Sequence, residues 1–116
     1  FLADLAAATQ PLTDPAELTA VTARALGEFL GCDRCAYAEV EDEAIYVITG
    51  DYCRGVGSIV GRWPIAAFGA EHHRMMTADE PYVVSDADVD PRIRPEDLPA
   101  YRATDIRAVI CLPLLK

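Results

Sequence analysis

The stretch Asp86–Lys116, DADVDPRIRPEDLPAYRATDIRAVICLPLLK, decides how the chain is read. Its second half, Ile106 to Leu115, is the most apolar run in the sequence. Val109 and Ile110 are β-branched, Asp105 precedes the run and Pro113 stands near its end, so the pattern predicts a central buried strand. The first half is a polar loop built on Asp90-Pro91, followed by a short helix over Pro95–Ala103 that Pro99 disturbs. A loop and short helix feeding a buried strand can hold a lid over one face of a sheet. The rest of the chain is then what covers that strand.

Working back toward the start, Tyr82-Val83-Val84 predicts a strand, and Ala66–Thr77 predicts a helix with Phe68, His72, Met75 and Met76 on one side, weakened by Gly69. Ser58–Ile65 predicts a short strand closed by Pro64, and Gly50–Gly57 a glycine-punctuated loop holding Asp51, Tyr52 and Cys53. Before it, Cys32–Val40 and Ala44–Thr49 alternate as the two strands of a hairpin around Glu41-Asp42-Glu43. On the first strand Ala36, Ala38 and Val40 share a face whose small residues leave room above it. Asp14-Pro15 with Glu17 predicts a helix start. That helix ends at Gly31 and carries Leu18, Val21, Ala25, Leu26, Phe29 and Leu30 on one face. Phe1–Thr9 has helical propensity, as the continuation of an upstream helix. A helix pair, a tight hairpin, then alternating strands and helices predict an α+β domain with a mainly antiparallel sheet.

Length and charge bound the function. A chain of 116 residues holds one domain and one core. The formal net charge of −9 argues against nucleic acid and against contact of this domain with an anionic membrane surface. No apolar run approaches the roughly 20 residues of a membrane span. Phe1–Ala8 lacks the basic flank of a signal peptide, and the chain opens without Met, so the expectation is a cytoplasmic piece of a longer polypeptide. Of the four cysteines, Cys32 and Cys35 have CxxC spacing, but no second CxxC follows and His72-His73 lies in another segment. Reduced structural thiols are the expectation, with no metal site.

Taken together, these residues resemble a GAF domain, the small sensory module related to PAS domains. The amphipathic helix ending at Leu30-Gly31 and running into Asp33-Arg34 is similar to the family's opening. PYVVSDADVDPRI followed by TDIRAVICLPLL is similar to its close, and GDYCRGVGSIVGRWPIAAFG resembles GAF domains found beside PAS domains in bacterial sensor histidine kinases, including the HWE type. The resemblance implies an antiparallel sheet with helices on both sides. It also implies that the chain lacks the last strand and C-terminal helix of the family, which leaves an apolar strand edge open to another chain.

For function, the resemblance implies a regulatory, non-enzymatic domain with a small-molecule pocket between the sheet and the segments Arg62–Met76 and Asp86–Tyr101. Ala38, Tyr52, Arg62, Trp63, Phe68, His72, Asp88 and Tyr101 are the candidate ligand contacts. The cofactor is unknown. Covalent bilin is disfavoured, because PEDLPAYRA holds neither Cys nor His and Cys53 lies in the wrong segment. His72 and His73 are adjacent on a helix and point about 100° apart, so one site cannot use both. One packed and one solvated imidazole is the plainer expectation. Asp86, Asp88 and Asp90 lack the Gly and Glu of a Ca²⁺ loop and read as caps of backbone amides. The expected partners are an unknown small molecule, neighbouring PAS or kinase domains and a second copy in a homodimer. The alternative function is a ligand-free dimerisation module. More distant is an enzyme of the free methionine sulfoxide reductase kind, in which Cys53 would have to act.

Overall fold

Asp14 begins the longest helix as the sequence predicts. A computed structural model describes residues 1–114 and places a first helix, α1, at Leu2–Thr9 and a second, α2, at Pro15–Leu30. The Asp14 carboxylate accepts from the Ala16 amide, and Pro15 sits in the first turn where its missing N–H is not needed. Gly31 closes the helix at φ 68°, and the Cys32 amide turns back to the Gly27 carbonyl. The Cys32 thiol donates to the carbonyls of Gly27 and Arg34.

Strands β1, Arg34–Glu41, and β2, Ile45–Cys53, form the expected hairpin. Asp42 and Glu43 both take positive φ, 54° and 56°, and the Ala44 amide closes on the Glu41 carbonyl. Two left-handed central residues match the twist of the paired strands. β2 is longer than expected. It runs through Gly50, so Asp51, Tyr52 and Cys53 lie on the strand and the loop begins only at Arg54. β3 is Gly61–Pro64, which makes a sheet in the order β1-β2-β3.

The expected helix over Ala66–Thr77 is two pieces, a 3₁₀ turn at Ile65–Phe68 and α3 at Ala70–Thr77. Gly69 separates them at φ 116°, ψ 152°, a conformation open essentially to glycine alone. β4, Tyr82–Val84, pairs antiparallel with β5, Val109–Cys111, in the register Tyr82↔Cys111, Val83↔Ile110 and Val84↔Val109. The sequence predicts a longer and central strand here. Among the described residues β5 spans three positions, its sheet has two strands, and Ile110 is exposed; Leu115 lies outside the described residues. Helix α4 is Leu98–Ala103. Pro99 does not break it, because it falls in the first turn.

The chain divides into two units. The first comprises Phe1–Glu39 and Val47–Arg62. Its helix α2 buries Ala23 and Gly27 most deeply; of the stripe the periodicity selects, Val21, Ala25 and Leu26 are half-buried while Leu18, Phe29 and Leu30 are exposed, with Phe29 stacked on Phe1. Small residues win because the helix approaches the Tyr52 ring closely, and a Cβ at Gly27 would overlap that ring. The second unit comprises Val40–Tyr46 and the chain from Trp63 onward. Its core is Phe68, Tyr82, Val84, Ala87, Ile93 and Tyr101, with Trp63, Met75, Met76 and Val109 packed against it.

Candidate functional site

The most unusual chemistry lies inside the second unit, around His72. α3 carries this imidazole inward, where it is 3% exposed. Three aromatic rings enclose it. Tyr82 meets it edge-on at 4.8 Å between centroids, with Tyr46 at 5.8 Å and Phe68 at 5.9 Å. Its Nε2 is hydrogen-bonded to the Tyr46 hydroxyl at 2.7 Å. Its Nδ1 is buried without a hydrogen-bond partner; the Tyr82 hydroxyl is buried and makes no close hydrogen bond, with the Tyr101 hydroxyl near enough to act on it electrostatically. Buried polar atoms are almost always paired, so two orphans on adjacent rings mark a place where a polar guest would be welcome.

Electrostatics keep this cluster neutral. Burial, with a smaller effect from His73, lowers the His72 pKa to about 4. Burial also raises the phenols of Tyr46, Tyr82 and Tyr101. Tyr101 donates to the Phe68 carbonyl at 2.7 Å, which ties α4 to the 3₁₀ turn. Over the Tyr82 ring, the Arg92 guanidinium lies 4.6 Å from the centroid and is held by Asp90 and by the Val83 carbonyl. His73, by contrast, turns out to the Glu43 carbonyl. One imidazole is therefore packed and one is on the rim.

The candidate contacts divide between the units. Phe68, His72 and Tyr101 come together in the second, with Trp63 against the same core. Asp88 is there too, and lines a surface cleft with Tyr101. Ala38, Tyr52 and Arg62 belong to the first unit. There Ala38 is half-buried on β1, Tyr52 packs its ring on Gly27, and Arg62 is exposed on β3. The acidic loop caps backbone as expected. Asp86 accepts from the Asp88 amide, Asp90 from that of Arg92, and Arg107 grips the Asp86 carboxylate with two nitrogens. These contacts hold the Asp86 and Asp90 carboxyls below the usual range. No group of three metal-ligating side chains gathers among the described residues.

The cysteines are unlike reactive nucleophiles. All four are free, and burial raises the thiols of Cys35, Cys53 and Cys111, the last to about 11. Cys53 donates to the Gly57 carbonyl at the end of β2. Sequence reasoning missed Tyr46, Tyr82 and Arg92. Tyr46 and Tyr82 read as strand-prone residues, and only the fold brings the Tyr46 hydroxyl and the Tyr82 ring to His72. The signal for Arg92 lay in Asp90-Pro91-Arg92, a turn whose side chains fold back on themselves.

A three-stranded sheet, an antiparallel strand pair and accompanying helices, with an aromatic core closed around one polar side chain in the second unit, define a small α+β module. The sequence model of the GAF domain matches residues 14–116, and the chain belongs to the GAF domain family. Solved structures agree in fold. A phycocyanobilin-bound GAF domain from a cyanobacterial phytochrome superposes with a TM-score of 0.76 at 12% identity, over 98% of this chain and 70% of that one. The GAF domain of a phosphoenolpyruvate-protein phosphotransferase from Coxiella burnetii gives 0.72 at 16%, over 99% and 67%. A free methionine-R-sulfoxide reductase from Neisseria meningitidis, solved with its substrate, gives 0.67 at 19%, over 99% and 63%. No curated protein matches the chain. No helix among the described residues is long and apolar enough to cross a membrane.

Proposed function

We propose that this is the regulatory GAF domain of a cytoplasmic bacterial sensor protein, of the histidine kinase kind, that binds a small polar molecule without covalent attachment. The observation that carries the reading is the pair of buried, unpartnered polar atoms on His72 and Tyr82. A ligand offering one donor and one acceptor there would satisfy both and would stabilise the packing of α3 beside β4 by its affinity for it. The relatives with bilin chromophores show what the fold can hold, but α4 and the loop before it contain no cysteine in this chain. The raised thiols favour a regulatory role over reductase chemistry.

A second reading, a ligand-free interaction module, is supported by the exposed apolar residues Val83, Ile110 and Leu112 on and beside the β4–β5 pair. Native mass spectrometry with an absorption spectrum of the purified protein separates the two. A mass excess released on denaturation, or a visible band, is the expected result. A clean spectrum on a dimeric mass with no thermal response to polar metabolites would leave the interaction module as the better reading.

A further inference from the structure

A second place for a ligand lies outside the His72 cluster, beside α4. The cleft is about 290 Å³, near the lower end of the range for small-molecule sites. Leu98, Tyr101 and Ile106 form an apolar floor, since all three belong to or pack against the core. Arg102 and Asp105 flank it from the last turn of α4 and the turn that follows. These two opposite charges are three residues apart, yet they do not pair. Neither side chain forms an ion pair or a side-chain hydrogen bond with any described residue. Asp105 is held at φ 53°, a left-handed conformation that an unbranched short polar residue tolerates. The neighbouring Arg107 is already committed to Asp86. The larger hollow on the surface, about 450 Å³, runs along α3 alone, and its Arg74 is committed to Glu71.

We propose that this cleft binds a small zwitterion, a free amino acid with an apolar side chain. Its carboxylate meets Arg102, its ammonium meets Asp105, and its side chain rests on Leu98, Tyr101 and Ile106. Arg102 and Asp105 set opposite charges beside an apolar floor, and Asp88 on the same cleft adds a second carboxylate for the ammonium end, so such a molecule is matched in both charge and polarity, whereas a simple anion or cation would leave one sign unused. The inference rests on the reading that the domain senses small molecules, and it names a ligand class and a second place for it.

The test is a titration of the ¹⁵N-labelled protein with L-leucine, L-leucinamide and N-acetyl-L-leucine, followed by amide shifts. L-Leucine is expected to give saturable shifts at Tyr101, Arg102 and Ile106. Each capped analogue is expected to bind about three- to tenfold more weakly, the range for an exposed charge-assisted contact. Arg102→Gln should weaken L-leucine by a similar factor and abolish its advantage over L-leucinamide. Asp105→Asn keeps a residue suited to the left-handed backbone, and should abolish the advantage over N-acetyl-L-leucine. Absence of saturable shifts at the cleft, or equal affinity for all three probes, overturns the proposal. Shifts confined to Tyr46, His72 and Tyr82 would also overturn it, while leaving the ligand-sensing reading in place.

Discussion

His72 is a neutral imidazole in the core, and the linkage between its protonation and folding follows from that. Its pKa falls from an ordinary 6.5 to about 4 on folding because burial disfavours the charged ring. The unfolded chain therefore takes up a proton near pH 6.5 that the folded protein refuses until about pH 4. Stability is full above the unfolded value and is lost as pH falls through that window, by up to about 3 kcal/mol. Urea unfolding at pH 7.5 and pH 5 should show the drop, and His72→Gln should flatten it. The carboxylates of Asp86 and Asp90 lose their own contribution only at lower pH, because their pKa values are shifted downward from 3.8. Tyr82 gives a second residue-level test. Its hydroxyl is buried and unpaired, so Tyr82→Phe should raise the stability of the ligand-free protein by about 1 kcal/mol and reduce the gain from any ligand that bonds to it. A thermal melt with and without the retained ligand measures both. The packing of His72 was legible in the sequence from the spacing of Phe68, His72, Met75 and Met76. Its orphaned nitrogen was not, since that depends on where the edges of Tyr46 and Tyr82 arrive.

At the level of elements, the contact between α2 and β2 is set by what is absent at residue 27. A Cβ there would overlap the Tyr52 ring, so Gly27→Ala should lose about 1–3 kcal/mol by overpacking, although alanine is the better helix former by about 1 kcal/mol. In a Tyr52→Ala background the sign should reverse, because only the propensity term survives; chemical denaturation of the four proteins reads the coupling directly. This contact also explains why the periodic stripe on α2 misses the helix's most buried positions. Hydrophobic spacing selects Leu18, Val21, Ala25, Leu26, Phe29 and Leu30, of which Val21, Ala25 and Leu26 are half-buried, whereas close helix–strand approach buries Ala23 and Gly27. Local signals served better where the chemistry is local. Asp14-Pro15 and Gly31 mark both ends of α2, and the turn at Asp42-Glu43 joins the hairpin. They failed at Gly50, which reads as a breaker but lies inside β2, and at Gly69, where a tolerated weakness is in fact a left-handed break between two helical pieces. Gly69→Ala should be destabilising, since its Cβ would add backbone strain and come within 3.1 Å of the Asp97 carboxylate. For the candidate site, the apolar and aromatic members were visible in sequence, but the pairing state of each charge was not. Arg92 and Arg107 look like Arg102 on paper, and only the folded loop shows which of them are committed.

For the whole molecule, the competing readings make opposite statements about mass action. A domain that answers to a small ligand is stabilised by that ligand, by about 2.7 kcal/mol at a hundredfold excess over Kd, whatever the protein concentration. An obligate dimer is stabilised by itself. Each tenfold dilution then costs it about 1.4 kcal/mol, which for a chain of this size is a fall of several degrees in Tm. The net charge of −9 opposes self-association at low salt, while exposed Ile110, Leu112 and Leu114 favour it. Charge repulsion is screened within about 10 Å at 0.1 M salt, whereas apolar contact is not. Melting the protein over a hundredfold range of concentration at low and moderate salt therefore isolates the apolar term. The expected outcome is a Tm that does not move with dilution and rises with the retained ligand or an added amino acid. A Tm that falls with dilution at moderate salt would instead assign those exposed residues to an interface. Its fall would then have to be abolished by Ile110→Thr, which removes apolar surface at a position exposed in β5 without touching the core beneath it.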